Sequence, residues 1–312
     1  MTAAPPRVVI FVEDNGGDWH AARLGRALRA RGAEVVVTSL PHCAFDTGRA
    51  DGIHIPGFPD RLPDGAFVRA VSTGTLEQIT LRLGILHALA HAGVRVWNSA
   101  RAIERCVDKS MATFLLQQAG LPVPLTRTVE GRERALCHAR GRPMPLVVKP
   151  MFGSQGNGVR RIEAADALPP ESDVAGVYYM QEYLRAADAD EHEDWRVFVS
   201  AGRVVAGMAR RSRTWITNVH QGATPSRLVV SPPAERLAVE AAAAVGADYA
   251  GVDLIAAADG RLLVLEINSN PAWKGLQSVT DVDIAERLAE DFIAAVTGTA
   301  VAVAAPAARA SP

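Results

Sequence analysis

The chain has 312 residues, enough for two or three domains with substantial cores. An apolar fraction of 48% and a charged fraction of 21% are those of an ordinary soluble globular protein. With 33 lysines and arginines against 34 aspartates and glutamates, no positive surplus exists to hold a nucleic-acid backbone, so a nucleic-acid partner is not expected.

Cys43, Cys106 and Cys137 are odd in number and have no CxxC spacing. That pattern argues against a disulfide framework and a zinc site, and the three read as reduced thiols. The N-terminal stretch MTAAPPRVVIFVEDNGG lacks a basic region followed by a long apolar segment, and no run approaches a membrane span. No membrane association and a cytoplasmic location are expected.

Arg7 to Val12 is a short apolar run that suits a buried strand. A loop from Glu13 to Gly17 and a helical stretch from Asp18 to Arg31 follow, with Gly32 as the stop. A second strand from Glu34 to Leu40 completes a β-α-β opening, which implies a parallel sheet. Gly16-Gly17 is not a GxGxxG fingerprint, so dinucleotide binding is not expected here.

Asp51 to Phe67 is loop-rich, with Pro56, Pro59 and Pro63, and leads into a helix around Leu76 to Ala92. Val94 to Trp97 reads as a strand, Asn98 or Ser99 as the cap of the next helix, and a domain boundary is placed near Arg105. His87 and His91 share a helix face, but without a third ligand nearby they read as surface or packing residues.

Asp108 suits the N-cap of a helix that ends at Gly120. Lys109 stands in its first turn, where a cation gains nothing from the helix dipole, which hints that it serves an anion. In the strand Pro145 to Met151, alternation puts Val147 and Lys149 on one face. The segment Phe152 to Gly158 follows, with three glycines that let backbone amides close around phosphate oxygens. It lacks the GK[ST] ending of a P-loop, and a plain hairpin turn remains the alternative.

Gly176 to Leu184 reads as a strand, followed by a polar stretch from Arg185 to Asp194. Trp195 to Val199 and Arg203 to Met208 form a strand pair turning at Gly202, which leads into a cationic segment with Arg210, Arg211 and Arg213. Such guanidinium groups suit phosphate or carboxylate. Ser231-Pro232-Pro233 opens the last large helix before a hairpin, and Gly246 stops it. The tail after Phe292 is expected to be disordered.

Tyr249 to Trp273 carries the most chemistry. Two apolar runs flank Asp259-Gly260, a dipeptide that suits a two-residue type I′ turn. That turn would set Ala258 opposite Arg261, Ile255 opposite Val264, and Asp253 opposite Glu266. Like charges facing each other in a ladder are destabilising, and Ile255 and Val264 would flank them on the same face, with Leu254, Leu263 and Leu265 on the other. A positive partner is therefore required. Asn268 projects from the face of Glu266, and an all-oxygen set of this kind suits Mg²⁺. The alternative, a solvated acidic face, sits badly with Ile255 and Val264.

Seven segments then resemble, in order, the ATP-grasp superfamily and within it the RimK-like amino-acid ligases. They are DKS (Asp108 to Ser110), VVKPMFGSQGNGV (Val147 to Val159), QEYL (Gln181 to Leu184), DWRVFV (Asp194 to Val199), NVHQG (Asn218 to Gly222), AGVDL (Ala250 to Leu254) and LEINSNPAWKGLQ (Leu265 to Gln277). The resemblance implies an ATP-grasp fold of mixed α/β and α+β class. It also implies an N-terminal parallel-sheet α/β domain over residues 1–105, a central subdomain over 106–178, a C-terminal subdomain with the metal site over 179–296, and a tail over 297–312.

By the same resemblance, Lys109 and Lys149 contact the phosphates of ATP, and the loop with Ser154 and Gly156 forms a lid over them. Gln181, Glu182, Tyr183 and Leu184 line the adenine pocket through backbone groups. Glu182 and Asp194 are available to adenine or ribose, and Asn218 belongs to the nucleotide site. Asp253, Glu266 and Asn268 match the ligands of Mg²⁺, with Mn²⁺ as an alternative ion, and Arg210 and Arg211 match arginines near the transferred phosphate. The family's Arg-x-Asn-x-His-x-Gly-Gly run departs here to Ile216-Thr217-Asn218-Val219-His220-Gln221-Gly222-Ala223, so one cation is missing, and Arg213 is the nearby alternative. The stretch between Glu182 and Asp194 is also longer than is typical.

The implied activity is ATP-dependent joining of a carboxylate and an amine through an acyl phosphate. The segment from Val68 to Ser110 is also similar to RimK-like proteins associated with pterin-type one-carbon cofactors. The expected substrates are therefore a small-molecule carboxylate acceptor of that type and glutamate as amine donor, and a homo-oligomer is expected. Alternatives are a catalytically silent nucleotide sensor or scaffold, a kinase-like phosphotransferase, and a ligase that modifies a protein tail or carrier protein.

Overall fold

The computed structural model describes residues 4–14, 17–153, 156–184 and 191–299. The chain forms two compact units: residues up to Trp97 together with those from Ala285 onward, and residues Asn98–Ile284.

The first unit contains β1 (Arg7–Phe11), α1 (Trp19–Ala30), β2 (Glu34–Thr38), β3 (Ala44–Phe45), β4 (Ile53–His54), β5 (Gly65–Val68), α2 (Leu76–His91) and β6 (Arg95–Trp97). Its main sheet runs β2-β1-β5-β6, all parallel, as the β-α-β opening implies. Val8 to Phe11 are fully buried, which is why β1 is apolar from Val8 onward rather than alternating. Asp18 caps α1 by accepting from the His20 amide at 2.8 Å, and Thr75 and Gln78 form a capping box on α2.

The second unit contains α3 (Ala100–Val107), α4 (Lys109–Gln118), β7 (Thr126–Glu130), α5 (Arg132–Arg140), β8 (Leu146–Lys149), β9 (Arg160–Ile162) and β10 (Val177–Glu182). It continues with β11 (His192–Ser200), β12 (Arg203–Ser212), β13 (Thr224–Arg227), α6 (Pro232–Val245), β14 (Tyr249–Ala256), β15 (Leu262–Asn268) and α7 (Lys274–Gln277). The final helix, α8 (Ile284–Thr297), returns from Ala285 to the first unit, where Phe292 meets the rings of Phe67 and Trp97 edge-on at 5.3 and 6.0 Å.

The second unit is built on two antiparallel sheets, β7-β10-β8-β9 and β13-β12-β11-β14-β15. In the smaller one, Leu146, Val148, Tyr178 and Met180 pack on Ala135 and Ala139 of α5. In the larger one, Val197, Val199, Val252, Leu254 and Val264 pack on Ala238, Ala241, Ala242 and Val245 of α6. Alanine on the helix lets it lie close to the sheet, and strand alternation leaves the opposite face for polar side chains.

Several expectations change. The unit boundary falls at Trp97/Asn98 rather than near Arg105, and 285–296 groups with the N-terminal segment rather than with 179–284. The loop-rich stretch 51–67 contains β4 and the start of β5. Ser99 caps α3, accepting from the Ala102 amide at 3.2 Å, whereas Asn98 does something else. Fully buried, Asn98 donates to the carbonyls of Tyr249 and Ser269 at 2.7 and 2.6 Å and accepts from the amides of Asp248 and Tyr249, so it ties together the ends of β14 and β15.

The β14–β15 turn is also longer than expected. Gly260, at φ +81°, donates to the Ala257 carbonyl at 2.9 Å, and the Ala257 amide donates to the Arg261 carbonyl at 2.9 Å. This is a turn with glycine in the left-handed position, not a two-residue I′ turn. Leu254 therefore faces Val264 and Ile255 faces Leu263. A bulge after Asp253 then adds Leu265 to β15 and restores Asp253 opposite Glu266. The tail from residue 300 lies outside the described residues.

Candidate active site

The second unit holds a cleft of about 930 Å³, lined from both of its sheets. Of the residues named from sequence, Lys109, Lys149, Gly156, Gln181, Glu182, Leu184, Asp194, Arg210, Asn218, Asp253, Glu266 and Asn268 line it. Ser154 lies outside the described residues, as do residues 185–190 of the polar stretch.

The two lysines reach the cleft from different elements. Lys109, in the first turn of α4, donates to the carbonyls of Gly153 and Met151 at 3.0 and 3.5 Å, which ties the helix to the start of the glycine-rich segment. Lys149, at the end of β8, donates to Gln181 Oε1 at 2.8 Å. Burial disfavours its charged form and holds its pKa below the ordinary lysine value, against the opposing pull of Glu266. A bound anion would relieve that cost. Gly156, at φ +75°, stands so close to the loop after β12 that a Cβ there would lie 2.8 Å from Gln221 Nε2 and 3.1 Å from Ile216 Cγ2.

Of the segment 181–184, Gln181, Glu182 and Leu184 line the cleft, and several of its polar groups already hold partners. The Gln181 side chain is buried and bonds Lys149 and Thr126, and the Glu182 carboxylate accepts from the Leu125 amide at 2.8 Å. The amides of Glu182 and Tyr183 already donate to the carbonyls of Leu125 and Pro145. Tyr183 is not among the cleft-lining residues: its ring lies under the Arg161 guanidinium at 4.4 Å and edge-on to Trp215.

The arginines are the main correction. On a strand, neighbours point to opposite faces, so Arg210 and Arg211 cannot serve one site. Arg210 enters the cleft face, where it is 4% exposed and grips Asp194 with two bonds of 2.6 Å. Arg211 pairs with Glu193 on the opposite face and, with Arg213, lines a separate surface depression. Neither Arg211 nor Arg213 lines the cleft, where Ile216 stands in place of the missing cation.

Arg196 was not singled out from sequence, yet Nε and Nη2 of its guanidinium donate to the two oxygens of Asp253, both at 2.7 Å. Arg210 also reaches Asp253, at 3.1 Å. The positive partner demanded by the facing carboxylates is thus, in this structure, a pair of guanidinium groups. Burial opposes ionisation of Asp253, but Arg196 and Arg210 outweigh it and hold the carboxyl below its ordinary value. For Asp194, burial prevails over the single Arg210, and its carboxyl is pushed up. In this structure its oxygens are held by Arg210 at the wall of the cleft.

Glu266 makes no hydrogen bond or ion pair among the described residues, although it faces the cleft beside Lys149. Asn268 donates through Nδ2 to the Gly251 carbonyl at 3.5 Å, which leaves its amide oxygen open. One free carboxylate, one amide oxygen and one carboxylate shared with guanidinium form an all-oxygen donor set that fits a hard divalent cation. Among the described residues no group of three or more His, Cys, Asp or Glu side chains is placed to hold a metal, so the donor set here depends on the Asn268 amide oxygen beside the two carboxylates. No helix among them is long and apolar enough to cross a membrane.

The RimK-like ATP-grasp domain matches residues 106–292. The tetrahydromethanopterin:alpha-L-glutamate ligase of Methanococcus maripaludis is 34% identical over 234 residues, covering 73% of this chain and 78% of that protein. A probable alpha-L-glutamate ligase of Alkalilimnicola ehrlichii is 32% identical over 292 residues, covering 89% of this chain and 92% of that protein. Among solved structures, the ATP-grasp ligase PsnB complexed with minimal precursor, Mg and ADP superposes with a TM-score of 0.71 at 25% identity, covering 93% of this chain and 97% of that one. Sequence likeness across the unit that holds the cleft, and likeness of fold across nearly all of the chain, converge on one conclusion: this is an ATP-dependent ligase, and it belongs to the RimK-like ATP-grasp family.

Proposed function

We propose that the enzyme joins the amine of glutamate to a carboxylate of a pterin-type one-carbon cofactor, with ATP and Mg²⁺, through an acyl phosphate. The observation that carries the reading is one cleft holding Lys109 and Lys149 together with the oxygen donors Asp253, Glu266 and Asn268. The choice of glutamate and of the acceptor class is supported by the relatives, among them the tetrahydromethanopterin:alpha-L-glutamate ligases of Methanococcus maripaludis and Methanosarcina acetivorans.

Lys109 and Lys149 present cationic groups to the phosphates, and a desolvated lysine is worth more to a phosphate than one in water. Glu266, Asn268 and Asp253 would hold a divalent ion, which would supply compensating positive charge at the phosphates during transfer. Arg196 and Arg210 keep Asp253 ionised and fix its orientation, so this ligand is set before substrates arrive. The γ-phosphoryl group moves to an acceptor carboxylate oxygen, ADP leaves, and the glutamate amine attacks the acyl carbon. Inorganic phosphate then departs as the amide forms. The close approach of Gly156 to Ile216 and Gln221 covers this intermediate against water.

An ADP-release screen over carboxylate acceptors, with and without glutamate, tests the proposal. Release that requires both a pterin-type acceptor and glutamate is expected. Turnover to a stable phosphorylated product without any amine would make the protein a kinase, and nucleotide binding without turnover would make it a sensor.

A further inference from the structure

With Arg211 and Arg213 outside the cleft, the carboxylates of the incoming glutamate need another cation. Of the lysines and arginines that line the cleft, four already hold partners: Lys109 the carbonyls of Gly153 and Met151, Lys149 the Gln181 amide, Arg196 Asp253, and Arg210 Asp194. The fifth, Lys274, makes no side-chain hydrogen bond or ion pair among the described residues. We infer that Lys274 receives a carboxylate of the incoming glutamate and thereby sets the preference for an acidic amine donor, an inference that rests on the reading of the enzyme as a glutamate ligase.

The backbone beneath Lys274 is fixed. Trp273 before it is fully buried and meets Phe198 edge-on at 6.1 Å, and Leu276 after it is fully buried in the first turn of α7. The Gln277 amide donates to the Trp273 carbonyl at 2.8 Å and Ser278 Oγ to the Gly275 carbonyl at 2.7 Å, which closes that turn. The side chain itself is exposed, so its ammonium is free to meet a solute entering the cleft. It follows Asn268, the last oxygen donor of β15, by six positions, so the same short segment carries the metal-type ligands and this cation. Asn270 and His220, which line the cleft with it, supply polar neighbours for an amino acid's remaining groups.

Steady-state kinetics on the full chain, at saturating ATP and acceptor, test the inference. Lys274→Gln should raise the KM for glutamate about ten-fold or more, as loss of a charge-assisted contact does, with the KM for ATP and the glutamate-saturated rate close to those of the parent. Lys274→Arg should recover most of the loss. An unchanged KM for glutamate in Lys274→Gln overturns the assignment while leaving the ligase reading intact. A parent enzyme that turns over with other amines but not with glutamate overturns both. Since Lys274 is exposed, a fall in thermal stability is not expected, and a melt of each variant separates a folding defect from a binding one.

Discussion

Asp253 and Glu266 face each other across one hairpin, but their surroundings differ, and so should the consequences of neutralising them. Asp253 is buried and counters two guanidinium groups, so Asp253→Asn strands positive charge in the interior and should cost about 3 kcal/mol or more of metal-free stability. Glu266 has no such partner, and Glu266→Gln removes a like charge, so its metal-free stability should hold or rise. Both variants should lose metal-dependent turnover. Urea unfolding in chelator checks the contrast, and equal stability losses in the two variants would contradict it. This reverses what facing carboxylates alone imply for Asp253. The sequence offered the pairing but not the arginines, because Arg196 meets Asp253 across the β11–β14 ladder, a pairing of distant strands that local pattern does not specify. The opposite facing of Arg210 and Arg211 follows only once the strand read as Arg203 to Met208 is extended to Ser212, whereas resemblance had grouped them.

Asp18 contributes to acid sensitivity away from the cleft. Burial works against the charge of Asp18, but its hydrogen bonds with His20 and the nearby Arg69 prevail and lower its pKa from 3.8 to about 2. A carboxyl lowered on folding stabilises the fold above its unfolded value of 3.8 and loses that contribution as pH falls towards 2. Asp18→Asn should therefore lower stability near neutrality and flatten the acid limb between those values. Stability curves against pH for the two proteins, run in parallel, would contradict the assignment if their acid limbs had the same slope.

At the scale of elements, the β14–β15 hairpin shows how a correct pairing can follow from an incomplete reading. The real turn is longer than Asp259-Gly260 alone, and the bulge at Leu265 compensates, so Asp253 still meets Glu266 while Val264 goes to the core and Leu265 to the cleft. Bulges leave no mark in an apolar run such as LLVLEIN, since any of its leucines can be the extra residue. The parallel sheet was legible because β1 and β2 are apolar and separated by a capped helix. Short or polar strands such as β9 (RRI) and β13 (TPSR) were not, since ladder pairing rather than pattern makes them strands. For the segment at Gly156, an added Cβ meets Gln221 and Ile216 and must also adopt a positive φ. Gly156→Ala should cut turnover far more than it weakens ADP binding, with thermal stability lowered by about 1 kcal/mol. Comparing the rate with ADP affinity by titration checks this, and equal turnover in variant and parent would make the segment a connection only.

At the scale of the molecule, the cleft and its cations lie within residues 98–284, while the first unit is assembled from both ends of the chain. That discontinuity was hidden from sequence because helical and strand periodicity are local, and nothing in the α8 segment says which core Phe292 will join. The ligase chemistry was legible because its groups sit in several short, ordered segments, each tied to a strand end or a helix start. What those groups jointly require is transfer of a phosphoryl group to the acceptor before the amine attacks. Turnover with an acceptor whose carboxylate carries heavy oxygen tests that order most directly. One labelled oxygen should appear in the inorganic phosphate for each amide formed, because the acyl oxygen that accepts the phosphoryl group leaves with it. Amide product formed with the label absent from phosphate would contradict an acyl-phosphate route.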